Sequence, residues 1–181
     1  MPNDSSRVAD TRTLRLLWAS IFSSLGIIAG FAAVLPPPEG EGDSTLFFLL
    51  AAVAIGNAAM SFVLPEIVYR AGVRRANVPT DEVPDPDAPS GFAGATRVRV
   101  FRDPIAARSL ARSLFQQSFI LGLALSEAVG LLGFVLNRMG FGLLFTLPFF
   151  LISGILIAIR FPTEGVEERR FAQALGARFP R

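Results

Sequence analysis

The chain has 181 residues, of which 51% are apolar, and a formal charge of only +2. Cys and His are both absent, which excludes disulfides, thiolate or imidazole metal centres, His-ligated haem, and Cys–His or Ser–His nucleophilic machinery. Its 17 cationic residues are all Arg, and with so small a net charge they point to membrane topology and not to nucleic acid.

Residues 1–12 are polar and are expected to be disordered. An apolar run from Leu14 to Leu35 follows and is stopped by Pro36, Pro37 and Pro38. Arg7, Arg12 and Arg15 ahead of this run, with Gly30-Phe31-Ala32 as a small-x-small site, allow a signal-peptide reading. The run is longer than the roughly 7–15 residues of a usual signal-peptide core, so a retained helix is expected. A second run, Leu46–Tyr69, is joined to the first by a short acidic loop. Together they predict a transmembrane hairpin over 13–69.

The composition then changes. Over 70–104, Val78-Pro79, Val83-Pro84 and Asp85-Pro86 alternate with acids, and Pro89-Ser90-Gly91 closes the stretch. Such a sequence buries little and is expected to be a flexible linker. Asp103-Pro104 supplies an N-cap and a first-turn proline for the next helix.

A second hairpin is predicted over 105–160, from Phe115–Arg138 and Phe141–Ile159. The four-residue connection Asn137-Arg138-Met139-Gly140 forces the pair antiparallel. In the tail, 161–181, Thr163 reads as a cap, with Glu164, Glu167 and Glu168 early and Arg178 and Arg181 late, the charge order of a short surface helix. Lying on the bilayer surface is one reading of that helix; packing on the linker is another. The expected fold is therefore all-α: four transmembrane helices in two hairpins, with a short C-terminal surface helix.

Three Arg precede the first run, eight lie between Arg70 and Arg112, and five follow from Arg160, leaving Arg138 alone on the other side. Cytoplasmic loops retain basic residues, so both termini and the linker are expected in the cytoplasm of a bacterial-type inner membrane. Trp18 and Tyr69 fall near that predicted boundary, where amphipathic aromatics settle.

Centring each run in a bilayer gathers polar groups at one depth: Ser23 and Ser24, Asn57, and Ser126 with Glu127. A lone carboxylate in hydrocarbon is expensive. With no Lys, Arg or His at that level in the sequence, the expected state of Glu127 is a protonated carboxyl hydrogen-bonded to Asn57 or a serine. Small residues offer packing surfaces: Gly26 and Gly30 on the first run, Ala52 and Gly56 on the second, Gly122, Ser126 and Gly130 on the third.

The segment Phe119-Ile120-Leu121-Gly122-Leu123-Ala124-Leu125-Ser126-Glu127-Ala128-Val129-Gly130 resembles the carboxylate helix of proteolipid (c) subunits in rotary ATP synthases and vacuolar-type ATPases. That resemblance implies that Glu127 binds and releases a proton or sodium ion. As a whole the chain is similar to small four-helix bacterial membrane proteins.

Two functions follow as expectations. Glu127, with Asn57, Ser126, Ser23 and Ser24, forms a proton or cation site in a transporter-like or accessory protein. Alternatively, the polar layer only specifies helix pairing in a structural or assembly protein, whose Arg-rich linker and tail touch partners or anionic headgroups. Enzyme chemistry has no nucleophile–base pair, phosphate loop or metal cluster to rest on, and neither a cofactor nor a metal is expected. The expected partners are the lipid bilayer and a second copy or a membrane complex, with no nucleic acid.

Overall fold

The computed structural model describes residues 4–35, 38, 42–85 and 97–180. In order the elements are α1 (Asp4–Val34), α2 (Ser44–Arg75), β1 (Thr80–Pro84), β2 (Arg97–Phe101), α3 (Pro104–Arg138), α4 (Leu143–Ala158) and α5 (Val166–Leu175). Most of the chain is helical, as expected, with one β-hairpin added.

Helices α1, α2 and α3 are each long and apolar enough to cross a membrane. At 16 residues and about 1.5 Å per residue, α4 is a shorter apolar helix. Large apolar side chains stay uncovered on these helices: Phe48 is 70% exposed, Ile55 72% and Leu144 80%. Apolar surface of that extent marks a membrane or protein contact face, and the length and composition of α1, α2 and α3 are consistent with a membrane.

Three expectations about the extramembrane parts change. First, α1 starts at Asp4 and not near residue 13. Residues 4–13 contain neither Gly nor Pro, so nothing stops the helix from propagating backward from its apolar run. Second, the stretch expected to be a flexible linker is folded at both ends. Helix α2 continues to Arg75, and β1 pairs antiparallel with β2 in the register Thr80↔Phe101 to Pro84↔Arg97. The β-branched Val83, Val98 and Val100 supply strand propensity, and Pro84 sits at the pairing's end, where a missing N–H is tolerated. The Pro89-Ser90-Gly91 stretch of that linker lies outside the described residues. Third, α5 is capped by Gly165 in the left-handed conformation, not by Thr163.

The cap on α3 is as expected. Asp103 Oδ1 accepts hydrogen bonds from the backbone N–H groups of Ile105 and Ala106, both at 3.0 Å, and Pro104 takes the first helical position.

Two compact units divide the chain. The first comprises residues 1–66 and 118–163. Its core joins Ala54, Val129, Leu136, Phe149 and Leu156, with Phe47 and Phe141 packed against them. Leu25 of α1 lies over Gly130 of α3 and Gly154 of α4.

The second unit comprises residues 67–117 and 164–181. Here Phe101 of β2 stacks on Phe171 of α5, with ring centroids 5.7 Å apart, and also meets Phe179 at 4.6 Å. Phe171 is wholly buried, so α5 packs on the hairpin through this residue, while Val166 and Leu175 stay partly exposed. Arg108 sits 3.4 Å from Glu168 in a mostly buried ion pair, and its guanidinium lies over the Phe179 ring. Tyr69 is likewise buried, beneath the guanidinium of Arg170, not exposed at a membrane boundary.

Candidate functional site

The first unit gathers a polar layer across four helices: Ser24 from α1, Ser61 from α2, Ser126 and Glu127 from α3, and Ser153 from α4, joined by Arg160 just beyond α4. Ser126 and Glu127 are adjacent on a helix, so their side chains leave it about 100° apart. They serve two different seams.

In the first seam, Glu127 is half-buried and hydrogen-bonded to Ser24. The Ser24 hydroxyl is also 2.8 Å from the backbone oxygen of Ile21, one turn earlier. One hydroxyl carries a single hydrogen, yet both neighbours of Ser24 are oxygens that would receive it. Both contacts are satisfied together when Ser24 donates to Ile21 and Glu127, carrying a proton, donates to Ser24. If Glu127 is ionised, the Ser24 hydrogen must turn from Ile21 to the carboxylate.

The other serines of the layer donate to backbone carbonyls. Ser61 donates to Ala58 O at 2.7 Å and Ser126 to Gly122 O at 2.7 Å, each bonding its own helix's preceding turn. Ser153 donates to Ser126 O at 2.7 Å. Each hydroxyl hydrogen goes to a backbone carbonyl, as is usual for Ser in apolar helices.

The second seam is built around Arg160, which the sequence reading did not place in this layer. Nη1 donates to Ser126 Oγ at 2.8 Å and to Leu156 O at 2.8 Å. Nη2 donates to Ser61 O at 2.5 Å and Ser61 Oγ at 3.1 Å, and the guanidinium lies 4.8 Å over the Phe62 ring. The expectation that no cation reaches the depth of Glu127 is therefore corrected. Counting residues placed Arg160 at the helix end, but its long side chain runs back into the bundle. Gly122 makes the space: a Cβ there would come within 2.9 Å of Arg160 Nε. Among the described residues, the two charged groups share the layer without an ion pair between them.

The remaining expected residues divide sharply. Asn57 is half-buried on α2 and is not a partner of Glu127. Ser23 points outward. Gly122 and Gly130 are buried packing positions, Gly130 against Leu25 and Ser153. By contrast, Gly26, Gly30 and Gly56 have open space where a Cβ would stand, and Ala52 is exposed. Within the chain, no described residue packs against Gly26, Gly30 or Gly56.

Near the end of this unit, Trp18 Nε1 donates to Ile157 O at 2.7 Å. Its ring stacks on Phe22 and meets Phe161 edge-on, and Arg15 lies over Phe161. Trp18 thus ties α1 to the end of α4 and is more than an interfacial anchor.

No known protein family, curated protein or solved structure matches the chain.

Proposed function

We propose that this chain is a four-span protein of a bacterial-type cytoplasmic membrane in which Glu127 is a reversible proton site, in a small transporter-like or accessory role. The observation that carries this reading is the hydrogen count at Ser24: one hydroxyl hydrogen faces two oxygens. A proton on Glu127 satisfies both contacts, and its departure requires only rotation of the Ser24 hydroxyl. A carboxyl that gains and loses a proton with so small a rearrangement is suited to exchange. Arg160 supports the reading because its donors are directed to Ser61, Ser126 and Leu156. The cation lies in the same layer without neutralising Glu127.

With both termini cytoplasmic, as the Arg distribution supports, α4 is the fourth span. Its 16 helical residues cover about 24 Å, somewhat short of a typical hydrocarbon core. Local thinning of the bilayer accommodates a helix of that length.

The test is proton movement into liposomes containing the purified protein, followed with an internal pH dye. Glu127→Gln keeps size and hydrogen bonding, so the fold should persist while flux disappears. Wild-type vesicles that move no protons, or a Gln variant indistinguishable from wild type, sink the proposal.

A structural role is the second reading, and Arg160 is the observation that favours it. A guanidinium bound to two other helices and its own last turn is a means of fixing helix pairing. On that reading, Arg160 variants disturb assembly and Glu127→Gln changes nothing.

A further inference from the structure

The second unit carries a cleft of about 390 Å³, lined by Glu82, Arg97, Val98, Arg99, Gly176 and Arg178. The chain builds it deliberately. α5 ends at Gly176, whose left-handed backbone (φ 62°) turns the following residues alongside β2. There Arg178 N–H donates to Arg99 O at 2.7 Å and Phe101 N–H donates to Arg178 O at 3.2 Å, setting Arg178 in a parallel bridge with Val100. Arg97 and Arg99 come from alternate positions of β2 itself. Three Arg positions are thus held in register by backbone hydrogen bonds, beside a glycine with open space where a Cβ would stand.

The charge in the cleft is lopsided. Glu82 lies 3.9 Å from Arg99, and Asp85 lies 3.6 Å from Arg178; both Arg side chains are 60% exposed. The Glu82–Arg99 pair is exposed on both sides and worth about 0–1 kcal/mol, so it orients the Arg99 guanidinium without consuming it, whereas Arg178 is held by Asp85, whose side chain is only 16% exposed. Arg97 makes no ion pair among the described residues.

We propose that this cleft binds a phosphate-bearing anion, a phosphomonoester or phosphodiester of headgroup size. The planar fork of Arg matches phosphate oxygens two at a time, and the cleft falls at the small end of the roughly 300–1,000 Å³ typical of ligand sites. A soluble phosphorylated metabolite and an anionic lipid headgroup present the same chemistry. The site is independent of Glu127, and its test does not involve proton flux.

The full chain in phosphatidylcholine nanodiscs is titrated calorimetrically with inorganic phosphate and with glycerol 3-phosphate. In a second arm, native mass spectrometry compares phosphatidylglycerol with phosphatidylcholine retained by detergent-solubilised protein. Binding in the first arm identifies a soluble ligand, and retention of phosphatidylglycerol alone identifies a headgroup. In either arm Arg97→Gln, an exposed change at the end of β2, should weaken binding about tenfold, as expected for loss of a charge-assisted contact. Glu82→Gln should tighten binding, because among the described residues that line the cleft its carboxylate is the one that repels the anion.

Arg102→Gln is the charge-matched control. Arg102 bonds Asp81 away from the cleft, so its loss should leave affinity within about twofold. The proposal is overturned if neither arm detects binding above the phosphatidylcholine control. It is also overturned if Arg102→Gln weakens binding as much as Arg97→Gln, since attraction is then a matter of net charge.

Discussion

Trp18 of α1 donates its indole N–H to the backbone oxygen of Ile157 in α4 at 2.7 Å. That oxygen already accepts the backbone N–H of Arg160 at 3.1 Å, and with its second lone pair it takes a donor from a side chain 139 positions earlier. Trp18→Phe keeps much of the ring packing on Phe22 and Phe161 but removes the donor. It should lower unfolding free energy by about 1 kcal/mol, measured by denaturation in mixed micelles. A variant as stable as wild type shows that the bond does not hold α1 to α4.

Ser23 and Ser24 are adjacent yet face opposite surroundings, one outward and one toward Glu127. Ser24→Ala leaves the carboxyl without its hydroxyl partner and should cost about 1–3 kcal/mol. Ser23→Ala should stay within about 0.5 kcal/mol. In infrared difference spectra, the carbonyl stretch of the protonated carboxyl should shift in Ser24→Ala and not in Ser23→Ala. Equal effects from both variants contradict the geometry.

Glycines of similar sequence context have opposite tolerances. A Cβ at Gly122 meets Arg160 and Pro65, whereas one at Gly26 meets nothing within 4 Å. Gly122→Val should displace the guanidinium from Ser126 and Ser61 and destabilise by about 1–3 kcal/mol, in the range of overpacking. Gly26→Ala should be neutral or slightly stabilising, because Ala is the better helix former. Parallel denaturation series on the two variants check the contrast.

Asp81 accepts hydrogen bonds from Arg102 Nε at 3.0 Å and Nη2 at 2.6 Å. That hydrogen bonding holds its carboxyl below the usual carboxylate range; the positive charge of Arg102 adds to the effect, while desolvation opposes it. A lowered folded-state pKa contributes stability above the unfolded value and loses it as pH falls through the folded one. Arg102→Gln should therefore move the Asp81 titration upward, read by carboxyl ¹³C shifts. Both groups are exposed, so global stability should hardly change between the two proteins.

The sequence is most informative where hydrophobic runs are long and least where side chains reach away from their own helix. The three long apolar runs and the Asp103-Pro104 start of α3 are legible because each depends on local composition. That Glu127 takes a polar partner follows from its depth in an apolar run, but the choice between Asn57 and a serine does not, and the partner is Ser24. Arg160 escapes because its Cα sits at a helix terminus while its guanidinium contacts lie a turn deeper, which residue counting does not see. The β-hairpin escapes because Pro and acids dominate β1 and the residues after it, and strand pairing between Val83 and Val98 is a non-local event. The charge order of α5 is legible in the sequence, but the aromatic partner that covers Phe171 comes from β2.

The position of Arg160 also sets an order of events during synthesis. Ser61 and Ser126 leave the ribosome well before the guanidinium that joins them, and each can wait with its hydroxyl bonded to its own helix. The Ser61–Arg160–Ser126 link can form only once α4 and the Arg that follows it have been made, so on the proposed four-span topology the earlier helices can enter lipid before they are joined.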